Sequence, residues 1–421
     1  MISPQQLEVL AGAVGDDALE PHPPLELEGA RLSATLRPRD GAALRRALAA
    51  LGRCGLAAIV RGGGTRLGLG NRPSRADVLL STERLAGVVE FDPSEGVCQL
   101  RAGTALADAR AELNAGGWEL PLDPPGARAS VGGALATAAV GPRAQGFGLP
   151  RDLVLGLEVA LASGERARCG GRVVKNVTGY DLNKLYTGSL GTLGVIEAAW
   201  LRLRPLPERV ATFEAYVSGV AEAAESGLLA ARRPAARAAA IVDRPERADE
   251  EGVAAFRVVV ELAGDAASVE HDAAWLERRL GAREVDAATL DGVRELQGQM
   301  PGAAGLRFRV AALPSRLPRT LGGLRAAGAR LLAYPGLGLV YAGFAVSDPG
   351  DGAEVDAIFR RAARAAGDGA GSYLCEAAPA LAKAGRDVFG DVSGSLALIR
   401  ALKSRFDPDG VLNPGRFAGG I

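Results

Sequence analysis

The most restrictive feature of this chain is a short apolar run, Ala57 to Val60, that empties into Arg61-Gly62-Gly63-Gly64-Thr65-Arg66-Leu67-Gly68. A β-branched and alanine-rich run ending in glycines reads as a strand entering a loop. In such a loop successive backbone N–H groups are unshielded by side chains and can curl into a nest for an anion, with phosphate as the natural ligand. The competing reading is a flexible surface loop, because glycine-rich stretches often serve only as connections. The segment is neither a Walker A loop, which needs Gly-Lys-Ser/Thr, nor a GxGxxG opening a helix.

Two further segments have the same character. In Pro124-Pro125-Gly126-Ala127-Arg128-Ala129-Ser130-Val131-Gly132-Gly133-Ala134-Leu135-Ala136-Thr137-Ala138, Ser130 is placed to cap a short helix. Gly132 and Gly133 fall in its first turn, so free N–H groups and a positive helix end could face the ligand of the first loop. Two loops could then grip one diphosphate. The small residues could equally serve only close helix packing. The third segment runs from Lys175 to Ile196, and its Gly188, Gly191 and Gly194 recur every third residue ahead of an apolar Val195-Ile196. That spacing lets backbone approach a flat ligand, with an apolar wall behind it.

Around these segments the pattern predicts helices over Pro4 to Val14, Ala42 to Leu51 and Thr104 to Asn114, the last with Thr104 as N-cap. Pro21 to Pro24 reads as a link, and Val88 to Asp92 with Val97 to Arg101 as a hairpin. Strands over Leu153 to Ala162, Arg166 to Cys169 and Val195 to Arg204 end at Pro205 and Pro207, where a domain boundary is expected. Beyond it two strand-helix-strand sets follow, which predicts an antiparallel sheet with helices on one side, and an α+β chain as a whole.

Composition excludes several classes. With 49 basic and 49 acidic residues in 421, no footprint for nucleic acid or an anionic membrane is present. Cys54, Cys98, Cys169 and Cys375 form no CxxC pair, so neither a disulfide framework nor a metal site is expected. The first twenty residues carry acids where a secretory leader has a basic start, and the uncharged run Leu331 to Ser347 is broken by Pro335-Gly336. A cytoplasmic protein is the expectation.

In this order the three segments resemble the FAD-binding oxidoreductases of the vanillyl-alcohol oxidase or p-cresol methylhydroxylase (PCMH) type, over roughly residues 28 to 208, and the closing Asn413-Pro414-Gly415-Arg416 agrees. The resemblance implies a lead segment (1–27), a two-subdomain PCMH-type FAD-binding domain (28–208), a cap (209–390) and a tail returning to the FAD domain (391–421). It implies cofactor contacts by Arg61, Gly62, Gly63, Gly64, Thr65, Leu67 and Gly68 of the first loop, and by Pro124, Gly126, Ser130, Val131, Gly132, Gly133 and Ala138 of the second. Gly194, Val195 and Ile196 are assigned to the adenine side, and Asn413 joins the set. The family can tether its flavin through His or Cys; here neither occurs in 55–97 or 99–168, and the only histidines are His22 and His271, so the FAD is expected to be non-covalent.

Asp181-Leu182-Asn183-Lys184-Leu185 and the end Phe406-Asp407-Pro408-Asp409-Gly410-Val411-Leu412-Asn413-Pro414-Gly415 are most similar to the 2-hydroxyacid branch, which includes FAD-binding subunits of bacterial glycolate oxidases. That similarity implies oxidation of glycolate to glyoxylate beside a second flavoprotein subunit and an iron–sulfur subunit. Catalytic members of the branch use several histidines and an acid in the second half for a metal and for the hydroxyl proton, whereas this chain reads Cys375-Glu376-Ala377-Ala378 and leaves His271 alone. Arg307 and Arg309 alternate on one predicted strand, so they share a face suited to a substrate carboxylate; an exposed edge strand is the competing reading. Glu376 is the remaining candidate base. Three functions stay open: a flavoprotein subunit, a non-catalytic scaffold that keeps the fold, and a self-sufficient 2-hydroxyacid dehydrogenase.

Overall fold

The computed structural model describes residues 2–172, 180–244, 255–302, 305–367 and 372–421. Its first sheet holds β1 (Leu19–Leu27), β2 (Ala30–Leu36), β3 (Ala58–Arg61) and β4 (Val78–Ser81), in the order β1-β2-β4-β3. β2 and β3 run parallel to β4, whose four residues are all buried, as a parallel strand covered on both faces requires. One cover is the helix Gly41–Arg53, which buries Leu44, Leu48 and Leu51 on a single stripe. The segment Pro21 to Pro24, expected as a link, lies inside β1. That strand is at the sheet edge and its register shifts between Pro21 and Leu25, the setting in which missing N–H donors are tolerated.

The second sheet is antiparallel, with β5 (Val88–Asp92), β6 (Val97–Arg101), β8 (Val154–Ala160), β9 (Arg166–Gly170) and β10 (Val195–Arg202) in the order β5-β6-β10-β8-β9. Between them the short β7 (Trp118–Glu119) pairs with β11 (Arg204–Pro205). The helix expected from Thr104 starts at Leu106, with Ala105 in the cap position. Thr104 is committed elsewhere: its hydroxyl donates to the Arg101 carbonyl at 2.7 Å and accepts from the Gly87 N–H at 3.0 Å.

The cap is one eight-stranded sheet built from β12 (Arg209–Val217), β13 (Ala236–Asp243), β14 (Phe256–Gly264), β15 (Arg283–Val285), β16 (Leu306–Ala311), β17 (Arg330–Tyr334), β18 (Leu339–Phe344) and β19 (Tyr373–Ala377). Their order is β15-β12-β14-β13-β17-β18-β16-β19. Alternation along β14 sends Val258, Val260 and Leu262 into the core beneath the helices Val220–Ala231, Ala266–Leu280, Leu317–Ala326 and Gly352–Ala366. Val259 faces the other way, onto a smaller core with Leu290 and Val293 of the helix Ala288–Gln299. This helix was not foreseen, since Gly292 and Gly298 and few apolar residues blur its period. β17 was missed because Leu331 to Ser347 reads as one uncharged stretch, which the structure folds into two strands about the turn Pro335–Leu337.

A buried ion network joins the cap to the first half of the chain. Glu261, fully buried on β14, accepts from Arg143 at 2.9 and 2.8 Å and from Arg237 at 2.6 Å. Asp123, also buried, takes Arg294 at 2.8 Å. Burial alone pushes the Glu261 carboxyl up, but its bonds to the Arg143 and Arg237 guanidiniums prevail and hold it below the ordinary glutamate value. A folded-state value below the unfolded one means stability that is present above the unfolded value, about 4.3, and lost as pH falls through the folded one.

Removing one partner from such a cluster strands buried charge, so Glu261→Gln is expected to destabilise the protein by about 3–5 kcal/mol near neutral pH. Urea unfolding should show that gap shrinking as the pH is taken below the unfolded glutamate value and the wild-type carboxyl protonates in turn. A gap independent of pH would contradict the ionised state assigned to Glu261.

Candidate functional site

The three glycine segments meet at one cavity, about 800 Å³ with its open mouth included. β3 delivers Gly62, Gly63, Gly64, Thr65 and Leu67 to its wall. The second segment adds Ser130, Gly132 and Gly133, the start of β10 adds Gly194, Val195 and Ile196, and the tail adds Asn413. Lys175 to Gly179 of the third segment lie outside the described residues.

Loop and second segment touch main chain to main chain. A Cβ on Gly63 would fall 1.6 Å from the carbonyl oxygen of Arg128, so any side chain there forces the backbones apart. The Ser130 hydroxyl sits in the joint and accepts from the N–H of Gly63 at 3.1 Å and of Gly133 at 3.3 Å. Ser130 does cap the short helix Val131–Ala136. The free helix end expected there is absent: the Val131 N–H donates to Thr104 at 3.0 Å, and that of Gly132 to Ala102 at 2.7 Å. The second segment therefore contributes a wall, not a set of donors. The open donors are in the first loop, where the N–H groups of Gly64, Thr65 and Arg66 have no acceptor among the described residues.

Six expected contacts stand outside the cavity lining, each for a visible reason. Arg61 turns its guanidinium to Glu83, 3.2 Å away. The Gly68 carbonyl is held by Lys383, Gly126 packs under the Thr65 side chain, and Pro124 and Val131 are buried. Ala138 faces a second cavity. Conversely, Arg66, Thr82, Leu190 and Arg416 line the first cavity without having been singled out for it. The available signal for Arg416 was its place at the end of Asn413-Pro414-Gly415-Arg416. Asn413 stitches the tail in: its Oδ1 accepts from the Val60 N–H at 3.0 Å and its Nδ2 donates to the Leu190 carbonyl at 2.8 Å.

Arg307 and Arg309 share a face, as expected, but β16 lies between β18 and β19 and is no edge strand. Their common neighbour is Glu376 of β19, buried, with Arg309 at 3.3 Å, Arg307 at 3.7 Å and Arg66 of the glycine loop at 3.0 Å. Arg307 also donates to the carbonyls of Gly298 and Met300 at 2.9 and 3.2 Å, so it is spent on structure. Arg309 stays partly exposed on the second cavity, beside Ala138, Arg151 and Tyr373. Burial acts to raise the Glu376 carboxyl, yet Arg66, Arg309 and Arg307 hold it below the usual glutamate value. Glu376 is thus an ionised anchor, not the base the sequence offered. Among the described residues, neither cavity is lined by His, Cys, Asp or Glu, and no three such side chains gather as a metal site. His271 is exposed on its helix, and His22 bonds Thr35 at 3.2 Å. No described helix is long and apolar enough to cross a membrane.

Residues 32–170 match a family described as an FAD binding domain, a span that contains the first two cavity segments. The chain is 31% identical over 338 residues to glycolate oxidase subunit GlcE of Escherichia coli (strain K12), covering 78% of this chain and 84% of that protein. It is 32% identical over 202 residues to glycolate oxidase subunit GlcD of Bacillus subtilis (strain 168), and 40% identical over 146 residues to a D-lactate dehydrogenase of Archaeoglobus fulgidus. These matches take in 47% and 35% of this chain, and it spans only 43% and 33% of those two proteins. Among solved structures, p-cresol methylhydroxylase with substrate bound aligns with a TM-score of 0.73 at 16% identity, over 98% of this chain and 96% of that one, a likeness of fold. The site suits the cofactor the family implies: glycines admit a close-lying dinucleotide, unpaired N–H groups and buried guanidiniums suit its anionic centre, and Val195 and Ile196 suit its rings. From the relation to GlcE across most of both chains, carried on a PCMH-type fold, this chain belongs to the FAD-binding oxidoreductases.

Proposed function

We propose that this chain holds FAD non-covalently in the three-segment cavity and serves the oxidation of a small 2-hydroxyacid, glycolate first, within an assembly containing a second flavoprotein subunit and an iron–sulfur subunit. The observation that carries the reading is the glycine loop, whose Gly64, Thr65 and Arg66 N–H groups have no protein acceptor among the described residues and lie beside the cavity. Donors of that kind are free to be taken up by a diphosphate. Non-covalent attachment is supported by a lining without His or Cys among the described residues. The names of the relatives, glycolate oxidase subunits and a D-lactate dehydrogenase, support a 2-hydroxyacid.

Bound FAD would supply a two-electron acceptor for turning a hydroxyl into a carbonyl. This chain's own residues would bind and orient the substrate. Arg309, partly exposed where Arg307 is not, is the side chain available to a carboxylate. Among the described residues neither cavity is lined by a carboxylate or imidazole for the hydroxyl proton, and three guanidiniums hold the Glu376 carboxyl below its usual range. That favours the subunit reading over a self-sufficient dehydrogenase.

The wild-type chain should release close to one FAD per chain on denaturation. Gly63→Ala, whose new Cβ meets the Arg128 carbonyl, should lower that content at least about ten-fold, the consequence of even a small loss of fit in a tight site. Full flavin content in this variant would refute the loop assignment.

Adding glycolate or D-lactate anaerobically to the purified chain should leave the flavin absorbance unchanged, and adding the two partner subunits should allow it to bleach. Bleaching without partners would favour the self-sufficient dehydrogenase. A colourless protein indifferent to FAD would favour the scaffold.

A further inference from the structure

The tail places a second buried cation on the glycine loop. Arg416 is 5% exposed and lines the cavity. Its Nη2 donates to the carbonyls of Leu67 and Leu69. Between them the Gly68 carbonyl accepts from Lys383, which is 1% exposed and pairs with Glu28 at 2.6 Å. Three successive carbonyls of the loop are therefore held by two buried cations, one from the far end of the cap and one from the tail.

A clamp explains only part of Arg416. Its Nη1 is also buried and has no hydrogen-bond partner among the described residues. A buried guanidinium nitrogen left unpaired is costly, more so than a neutral donor. Among the described residues the lining holds no acid to receive it, and the Gly64, Thr65 and Arg66 N–H groups of the same loop have no acceptor either. Several unmet donors and a positive charge on residues that line one cavity match an anionic ligand, for which guanidinium geometry is suited.

Resting on the FAD reading above, we propose that Arg416 is a cofactor-binding residue with two tasks: Nη2 fixes the loop through Leu67 and Leu69, and Nη1 donates to the diphosphate of the bound dinucleotide. Binding of FAD and seating of the tail are then coupled through one side chain. Lys383 acts only through the loop and is a positioning residue.

The full-length apoprotein, freed of flavin, decides the matter by titration with FAD and, in parallel, with riboflavin, which lacks the diphosphate. Arg416→Lys keeps a charge and a donor for the carbonyls but loses the second arm, so its FAD Kd should rise about ten-fold or more, as for one charge-assisted hydrogen bond, while its thermal midpoint without flavin stays near wild type. The riboflavin Kd should change less than about two-fold. Arg416→Gln should lose more FAD affinity than Arg416→Lys, and if it fails to fold the lysine variant decides alone. An FAD Kd within about two-fold of wild type in a folded Arg416→Lys, or equal weakening of FAD and riboflavin, overturns the proposal. A wild-type chain that takes up no FAD overturns the reading beneath it as well.

Discussion

The arrangement depends on two main-chain segments, the loop after β3 and the stretch before the helix Val131–Ala136, meeting with nothing between them. Gly63, at the end of β3, lies against the Arg128 carbonyl, and the Ser130 hydroxyl bonds both sides of the joint. This contact sets the loop that leaves the first, mixed sheet against the second segment, and both line the cavity. It also explains the composition of the loop: a position so close to another backbone excludes every Cβ, whatever the chemistry of the side chain. The donors of the second segment are spent on Thr104 and Ala102, so that segment can be rigid while the first loop keeps its N–H groups open.

Around this joint the chain is held by cations, buried except for the partly exposed Arg66 and Arg309. Arg66, Arg307 and Arg309 share Glu376, while Lys383 and Arg416 lie near Glu28. Among the described residues two carboxylates answer these five cations, a local surplus in a chain whose formal charges balance. Burying such charge is unfavourable unless it is compensated, and the deficit here is on the negative side. An anionic ligand between the loop and the tail supplies what the protein lacks. Burial lowers the Lys383 and Arg416 pKa values, with Glu28 opposing, while the guanidiniums around Glu376 hold its carboxyl below the usual range against its own burial.

Legibility in the sequence followed how local the cause was. The glycine loop, the hairpin of β5 and β6 and most cap elements were readable, because strand alternation, turn glycines and helix periods are local. The Ser130 cap was likewise found from a short pattern. Pro21 to Pro24 was misread since only the sheet shows that the strand is an edge. Thr104 looked like a cap because its partners, Gly87 and Arg101, are defined by the fold. The pairing of Arg307 and Arg309 with Glu376 and Arg66 spans strands and domains, so a shared face was visible and its occupant was not. Arg416 was overlooked for a similar reason: its carbonyl partners lie about 350 residues away in the chain.

Charge also bears on how labour is divided in the proposed assembly. Proton abstraction from a hydroxyl needs a group whose neutral and ionised forms are close in energy at the working pH. Glu376 is the acid paired with Arg309, and protonating it would forfeit its attraction to three guanidiniums at once. A carboxylate in that position is a fixed counter-ion that keeps Arg309 oriented, in the way a structural anion serves a binding site. The same cluster ties Arg66 of the cofactor loop to the cap sheet, so the guanidiniums that hold the Glu376 carboxyl below its usual range also anchor the loop that lines the cavity.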